Sequence, residues 1–327
     1  MALLHGSKVK LFALSANKEL GEKVAKYIGL PLSECKTVNF ADGEIMVDIF
    51  ETVRGHDVFV IQPTSNPVSE HYMELLIMID ALKRASARTI NIVMPYYGYS
   101  RQDRKARARE PISAKLMADL LESIGSTRVL TMDLHAAQIQ GFFDIPIDNF
   151  EALPIFVQYF KRKKMEEKNI VVVSPDHGGV TRARKFALYF NAPIAIIDKR
   201  RPKPNVAEVM NIIGEVAGKH VIIIDDIVDT AGTISIASTA LIKAGAIDVY
   251  VACTHPILSG NAIPNINNSD IKELVTTDSI YLPEEKRSPK ITQLTIAKIL
   301  GRGILNIIDG KSVSDLFVYE PTQNYYD

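Results

Sequence analysis

The sequence has little cysteine, no net charge and no long apolar run, and each absence excludes a class of protein. Only Cys35 and Cys253 occur in 327 residues. They form neither a CxxC pair nor a disulfide framework, which suits a reducing compartment. Lysine plus arginine and aspartate plus glutamate number 38 each, so no overall basic field exists to favour nucleic acid as the main partner. No apolar run approaches the ~20 residues that a membrane span needs, and the N-terminus is too poor in apolar residues for a signal peptide. We therefore expect a soluble, cytoplasmic protein.

A nucleotide-binding P-loop is absent as well. The pattern Gly-x4-Gly-Lys-Ser/Thr fails at its nearest match, Gly310-Lys311-Ser312, because Leu305 stands where the first glycine is required. An acidic strand end in this chain therefore has no P-loop with which to form a Walker-type site. The apolar fraction of 47% and the length still predict sizeable cores and two domains.

The segment from Val221 to Thr233 has the features expected of a binding site. It begins with four β-branched apolar residues, typical of a strand buried on both faces of a parallel sheet. Asp225, Asp226 and Asp229 follow, and then a small-residue turn leads into a predicted helix that ends before Gly245. In open α/β sheets, ligands bind at this carboxyl end of the strands.

The chemistry of this segment suits a ribose 5-phosphate. The turn of residues 230–233 presents backbone N–H groups and hydroxyls at a helix N-terminus, which favours a phosphate monoester. Asp225 and Asp226 can accept hydrogen bonds from a neighbouring diol, and Asp229 lies close enough to the sugar to serve as a general base. The alternative is a Walker-B-like strand end that holds a metal, and the missing P-loop argues against it.

Basic residues follow other predicted strands. Five of the nine residues from Arg101 to Arg109 are basic, and such a loop can close over polyanionic substrates and stabilise their charge. Lys199 and Arg201 alternate, so both would point to the same side of an extended chain. The alternatives are a solvated charge run for the loop and a basic surface turn for the pair. His135 also follows a strand, where a histidine is more often a structural hydrogen-bonding residue than a ligand.

Strands and helices alternate along the whole chain, which predicts an α/β fold. In both halves an apolar strand leads into cations, as from Ile90 to Arg101 and from Ile194 to Arg201, and two related lobes explain this weak repeat. We expect two doubly wound domains with parallel sheets, residues 1–150 and 151–327. The last ~25 residues could pack back on the first domain.

Taken together, these motifs resemble those of ribose-phosphate pyrophosphokinases of the phosphate-dependent, ATP-using class. Residues 225–233 alone also resemble the phosphoribosyl-pyrophosphate loop of type I phosphoribosyltransferases, but three further motifs match the first family and not the second. They are Asp42-Gly43-Glu44 after Phe40, Arg101-Gln102-Asp103 with its basic loop and Pro111 to Lys115, and the run from Met132 to Phe143. The resemblance implies that both domains have the type I phosphoribosyltransferase fold.

The resemblance also implies an activity of nucleotide biosynthesis. The enzyme would transfer the diphosphoryl group of Mg-ATP to the 1-hydroxyl of D-ribose 5-phosphate, giving 5-phosphoribosyl 1-diphosphate and AMP. By resemblance, the ATP-binding residues are Phe40, Asp42, Gly43, Glu44, Arg101, Gln102 and His135. The ribose 5-phosphate residues are Arg201, Asp225, Asp226, Asp229, Thr230, Ala231, Gly232 and Thr233. Catalysis falls to Lys199 and Arg201, and Mg²⁺ binding to His135 and Asp176.

The family further implies a homo-oligomer of dimers that form a hexamer, in which the loop of residues 40–44 reaches the active site of a neighbouring subunit. From spacing alone, Asp42-Gly43 predicts no more than a hairpin turn. Two other functions stay open. A type I phosphoribosyltransferase would share residues 225–233, and a non-catalytic associated regulatory subunit could share the whole fold.

Overall fold

The computed structural model describes residues 3–4, 7–200 and 209–326, and these form two α/β lobes. The strands of the first lobe are β1 (Leu3–Leu4), β2 (Ser7–Ala13), β3 (Cys35–Asn39), β4 (Ile45–Ile49), β5 (Asp57–Ile61), β6 (Thr89–Val93), β7 (Arg128–Met132) and β8 (Ile147–Phe150). Its helices are α1 (Lys18–Ile28), α2 (Val68–Arg84) and α3 (Ser113–Ile124). One sheet has the order β1-β2-β5-β6-β7-β8 and is parallel except for β1. Strands β3 and β4 form a separate antiparallel hairpin.

The second lobe contains a larger sheet. Its strands are β9 (Ile170–Ser174), β10 (Ile194–Arg200), β11 (Val209–Ile213), β12 (His220–Val228), β13 (Asp248–Pro256), β14 (Ile271–Thr277) and β15 (Ile291–Leu294). Its helices are α4 (Leu153–Arg162), α5 (Val180–Leu188), α6 (Gly232–Lys243), α7 (Ala262–Asn267) and α8 (Ala297–Ile308). The strand order is β11-β10-β9-β12-β13-β14-β15, parallel except for the β10–β11 pair. The order therefore reverses between β9 and β12, at the kind of switch point where doubly wound sheets bind ligands.

The predicted fold class is confirmed, since both lobes are α/β with parallel sheets. The apolar runs of β9 and β12 are fully buried, as expected for parallel strands covered on both faces. Strand β12 is longer than predicted and continues to Val228, because its pairing with β13 extends to the Val228–Pro256 register. Asp225 and Asp226 therefore lie within the strand, and both side chains line the same pocket near its carboxyl end. Among the described residues, no helix is long and apolar enough to cross a membrane.

One buried core joins the two lobes. It contains apolar residues from one face of each sheet and from helices α1, α4, α5 and α8, among them Phe59, Phe160 and Ile222. Helix α8 packs closely because a Cβ atom at Gly301 would meet the Tyr27 ring at 2.4 Å and one at Gly303 would meet the Phe150 ring at 2.5 Å. Helix α8 from the second half of the chain thus contacts the first lobe, and the division at residue 150 stays a prediction.

Candidate functional site

A cleft with a cavity of about 670 Å³ lies between the lobes, at the carboxyl ends of their parallel strands. The first lobe contributes the loops after β6 and β7, and the second contributes the loops after β9 and β12. Its polar lining includes Arg101, His135, Asp176, Arg182, Asp226 and Asp229. The fold therefore brings together residues that are far apart in the sequence, and it does so at the β9–β12 switch point.

Asp226 is the most buried charge of the cleft, with 5% of its surface exposed. Its Oδ2 atom accepts a hydrogen bond from His135 Nδ1 at 2.8 Å, and its Oδ1 atom accepts one from Arg182 Nη1 at 3.1 Å. Burial opposes ionisation of Asp226, but the bond from His135 and the charge of Arg182 outweigh it and lower the pKa of this carboxyl. The bond to Asp226 in turn raises the pKa of His135. The carboxylate thus connects one residue of each lobe.

Asp225 differs from its neighbour. Burial, together with the negative charge on Asp226, raises the pKa of Asp225 well above its usual range. Arg182 Nη1 is 4.0 Å from Asp225 Oδ1, farther than from Asp226. A carboxyl that readily takes a proton can both donate to and accept from hydroxyls, so Asp225 suits a diol in either direction.

The loop after β12 has backbone N–H groups that are open to a ligand. Helix α6 begins at Gly232 and runs for 12 residues, and Ala231 before it has φ +58°, the left-handed conformation. None of the backbone N–H groups of residues 230–233 donates a hydrogen bond to another described residue. Free N–H groups at a helix N-terminus are suited to a phosphate. The predicted phosphate-binding residues therefore lie where such a group would be held.

Asp229 joins this loop to the first lobe. Its Oδ2 atom accepts a hydrogen bond from Arg101 Nη1 at 2.7 Å, and its Oδ1 atom accepts one from the Ser259 hydroxyl. Burial opposes the effect, but the bonds from Ser259 and Arg101 lower the pKa of Asp229. Because a carboxylate with a lowered pKa is a weak proton acceptor, a general-base role for Asp229 requires Arg101 to move away.

The predicted ATP-binding residues lie in different places. Arg101 and His135 line the cleft, whereas Gln102 accepts a hydrogen bond from Ser113 at the start of α3. Residues 40–44, all described, form the turn of the β3–β4 hairpin and are not part of the cleft lining. Phe40 is 47% exposed there. A role for this loop in ATP binding stays a prediction that involves a neighbouring subunit.

The predicted catalytic pair is described only in part. Lys199 lies in β10, where its backbone pairs with Met210 of β11, and its side chain is outside the described part of the structure. Arg201 lies outside the described residues altogether. The shared orientation of these two side chains stays a prediction.

The two predicted Mg²⁺ residues, His135 and Asp176, both line the cleft. His135 Nδ1 is engaged by Asp226, which leaves Nε2, and Asp176 Oδ1 accepts a bond from Gly179 N–H at 2.9 Å. In the described part of the chain, no group of three or more His, Cys, Asp or Glu side chains converges to hold a metal ion. This donor set fits Mg²⁺ that is held mainly by substrate phosphates, with one or two protein ligands and waters.

Sequence reasoning left two contacts of the site unassigned. Arg182 belongs to α5, which follows Gly178-Gly179, and it donates a hydrogen bond to Asp226. Ser259, 30 residues beyond Asp229 in the chain, carries no local motif. Both contacts depend on the tertiary fold, although the Gly-Gly pair before α5 is a signal for the first.

Comparisons with known proteins agree with this geometry. Residues 9–125 match the family described as the N-terminal domain of ribose phosphate pyrophosphokinase, and residues 200–318 match the phosphoribosyl synthetase-associated domain. A ribose-phosphate pyrophosphokinase of Bacillus cereus is 62% identical over 95% of this chain and 98% of its own length. That of Bacillus subtilis is 59% identical over 97% of this chain and 100% of its own. The crystal structure of phosphoribosylpyrophosphate synthetase from Mycobacterium smegmatis superposes with a TM-score of 0.89 at 41% identity, covering 93% of this chain and 100% of that one.

Proposed function

The chain belongs to the ribose-phosphate pyrophosphokinase family, and we propose that it transfers the β,γ-diphosphoryl group of Mg-ATP to the 1-hydroxyl of D-ribose 5-phosphate. The products are 5-phosphoribosyl 1-diphosphate and AMP. One observation carries the assignment of roles: the two lobes meet in a single cleft, where His135 and Arg101 of the first lobe bind Asp226 and Asp229 of the second. Nothing in the described part of the chain favours the phosphoribosyltransferase or the non-catalytic subunit.

Ribose 5-phosphate binds on the second-lobe side in this proposal. The carboxyls of Asp225 and Asp226 hold the ribose diol, and Asp229 lies next to the sugar. The backbone N–H groups and hydroxyls of Thr230, Ala231, Gly232 and Thr233 hold the 5-phosphate, which the free N–H groups of this turn support. Arg201, which lies outside the described residues, contributes a further positive charge in this proposal.

The nucleotide binds on the first-lobe side. Arg101, Gln102 and His135 hold it from within the same chain, while Phe40, Asp42, Gly43 and Glu44 come from a neighbouring subunit. The exposure of Phe40 and the position of its loop outside the cleft of its own chain support this division. Such an arrangement requires a homo-oligomer, which we propose to be a hexamer assembled from dimers, in the cytoplasm.

Catalysis rests on positioning and positive charge. A diphosphoryl group that moves between two oxygens needs little covalent help and strong charge stabilisation. Lys199, Arg201 and the cations of residues 101–109 supply this charge from the chain. His135 and Asp176 would hold the Mg²⁺ that accompanies the nucleotide, and the ion would neutralise phosphate charge. The buried Asp226 keeps His135 and Arg182 in place, so that these groups need not reorganise during the reaction.

A product assay tests the proposal directly. The purified chain is mixed with ribose 5-phosphate, Mg²⁺ and ATP, and AMP and 5-phosphoribosyl 1-diphosphate are quantified together. We expect equimolar formation of both products and none when ribose 5-phosphate is omitted. A wild type that releases no AMP would support the associated subunit. Activity seen only with 5-phosphoribosyl 1-diphosphate and a nucleobase, or with pyrophosphate and a nucleotide, would support the transferase.

A further inference from the structure

His255 lies beneath the cleft and connects the lobes from inside. It belongs to β13 of the second lobe and is 2% exposed. Its Nε2 atom is 3.0 Å from the carbonyl oxygen of Met132 and 3.3 Å from that of Asp133, where β7 of the first lobe ends. It is not part of the cleft lining, so it can act on a substrate only through other residues.

The hydrogen bonds of His255 define its protonation. The two carbonyl oxygens can only accept, so Nε2 carries the hydrogen. Nδ1 lies 3.0 Å from the Ser279 hydroxyl, which can donate to it. The Ser279 hydroxyl could instead donate to the Thr254 carbonyl oxygen. That oxygen already accepts a hydrogen bond from the Thr277 hydroxyl at 2.7 Å, so Ser279 can donate to His255. A neutral imidazole therefore satisfies every partner, and burial favours that form by lowering the pKa of His255.

The backbone that His255 contacts is held in a costly conformation. Asp133 has φ +39°, a value that a residue with a Cβ atom rarely adopts and that surrounding contacts must stabilise. The Thr254 hydroxyl donates to Asp133 Oδ2 at 2.6 Å, and Ala152 N–H donates to the same atom at 3.0 Å. The Tyr96 ring, from the loop that leads to Arg101, packs edge-on against the His255 ring at 5.2 Å.

These contacts converge on the loop that carries His135. Residue 135 is two positions beyond Asp133, and its Nδ1 reaches Asp226 of β12, the strand next to β13. We propose that His255, with the neighbouring Thr254 hydroxyl, is a positioning residue that holds the loop of residues 132–135 against the second lobe and so fixes His135 in the cleft. The inference rests on the function proposed for His135.

Two substitutions separate this role from ordinary core packing. In His255→Gln, the side-chain amide nitrogen reaches about as far as Nε2 and can still donate to Met132. In His255→Asn, the shorter amide reaches only the Nδ1 position, near Ser279. Both variants keep a polar group in the same buried site. The matched control is His56→Asn, since His56 is also 2% exposed but directly precedes β5, at the amino end of that strand and away from the cleft.

The variants are compared by kcat and KM in the AMP assay and by thermal unfolding. We expect His255→Gln to keep kcat within about threefold of the wild type, and His255→Asn to lower kcat roughly 10–100-fold, as small displacements of reacting groups do. The KM for ribose 5-phosphate should stay unchanged, because the hydrogen bonds of the His255 side chain go to Ser279, Met132 and Asp133 and not to residues 229–233. The His56 variant should keep the wild-type kcat whatever its Tm.

Equal kcat values for the Gln and Asn variants, or losses that follow Tm in all three proteins, would overturn the proposal. If the Asn variant does not fold, Thr254→Val decides, because it removes only the hydroxyl bond to Asp133. A lower kcat with unchanged KM for ribose 5-phosphate then supports the inference, and a wild-type kcat refutes it. A wild type without AMP release would instead refute the proposed function, so the two failures are distinct.

Discussion

The two sides of the cleft differ in how deeply their charges are buried. On the second-lobe side, Asp226 is 5% exposed and holds two partners. On the first-lobe side, the Arg101 side chain is 50% exposed and, among the described residues, forms an ion pair only with Asp229. A buried, fully paired charge is preorganised, whereas an exposed cation on a loop is free to move when substrates arrive. We therefore call the second-lobe side around Asp226 the fixed side and the first-lobe side around Arg101 the mobile side. In the proposed function, the sugar binds at the fixed side and the mobile side closes over it with the nucleotide.

The largest expected effect comes from removing the positive charge of Lys199, which in the proposed function stabilises the diphosphoryl group only while it is transferred. Lys199→Ala should lower kcat by on the order of 10²–10³ or more, as for loss of a group that stabilises developing charge, while ribose 5-phosphate binding stays largely intact. AMP release and calorimetric titration measure the two quantities. Lys272→Ala is the control, since Lys272 binds Asp248 at the amino ends of the strands of the same sheet. Unchanged turnover would remove Lys199 from its role.

Asp226→Asn should weaken ribose 5-phosphate binding at the fixed side of the cleft. Losing hydrogen bonds that involve charged groups costs about 1.5–3 kcal/mol, so we expect ribose 5-phosphate binding to weaken roughly 10–100-fold, with a comparable loss of unfolding free energy. Calorimetry and urea unfolding test this. Asp248→Asn removes another paired carboxylate, with a side chain 12% exposed and bound to His220 at the amino end of β13. The control should lose stability but not ribose binding, and equal binding by both variants would contradict the fixed-site account.

Arg101→Ala should affect only the mobile side. An exposed ion pair contributes at most about 1 kcal/mol to stability, so Tm should hardly change, while kcat falls roughly tenfold because the closing cation is lost. Steady-state kinetics with both substrates measure this. Arg88→Ala is the matched control, with a side chain 55% exposed in an ion pair with Asp57. Equal kcat in the two variants would show that Arg101 has no special function.

The smallest effect is a shift in the titration of Asp229. Its pKa is lowered from 3.8 by the Ser259 and Arg101 bonds against the opposing effect of burial. These bonds therefore stabilise the folded chain above about pH 4, and that contribution is lost as the pH falls through the lowered value. In Arg101→Ala the carboxyl should titrate closer to 3.8, which carboxyl-selective NMR can follow. An unshifted titration would mean that Arg101 does not bind Asp229 in solution.

The sequence predicted the fixed side better than the mobile one. Residues 221–233 encode strand, acidic end, turn and helix locally, so their arrangement follows from neighbouring residues. The strand extends farther than the apolar run because β13 continues to pair with it. The contacts of Arg182, Ser259 and His255 join residues distant in the chain, and no local pattern predicts them. The hairpin loop of residues 40–44 could be assigned only by resemblance, since its proposed partner is another subunit.

A crystal structure with ribose 5-phosphate and a non-hydrolysable ATP analogue tests the central claim most directly. We expect the 5-phosphate within hydrogen-bonding distance of the N–H groups of residues 230–233, the ribose diol against Asp225 and Asp226, and the nucleotide phosphates next to Arg101 and His135. A sugar phosphate bound outside this cleft, or a nucleotide seated on the loop after β12, would contradict the account.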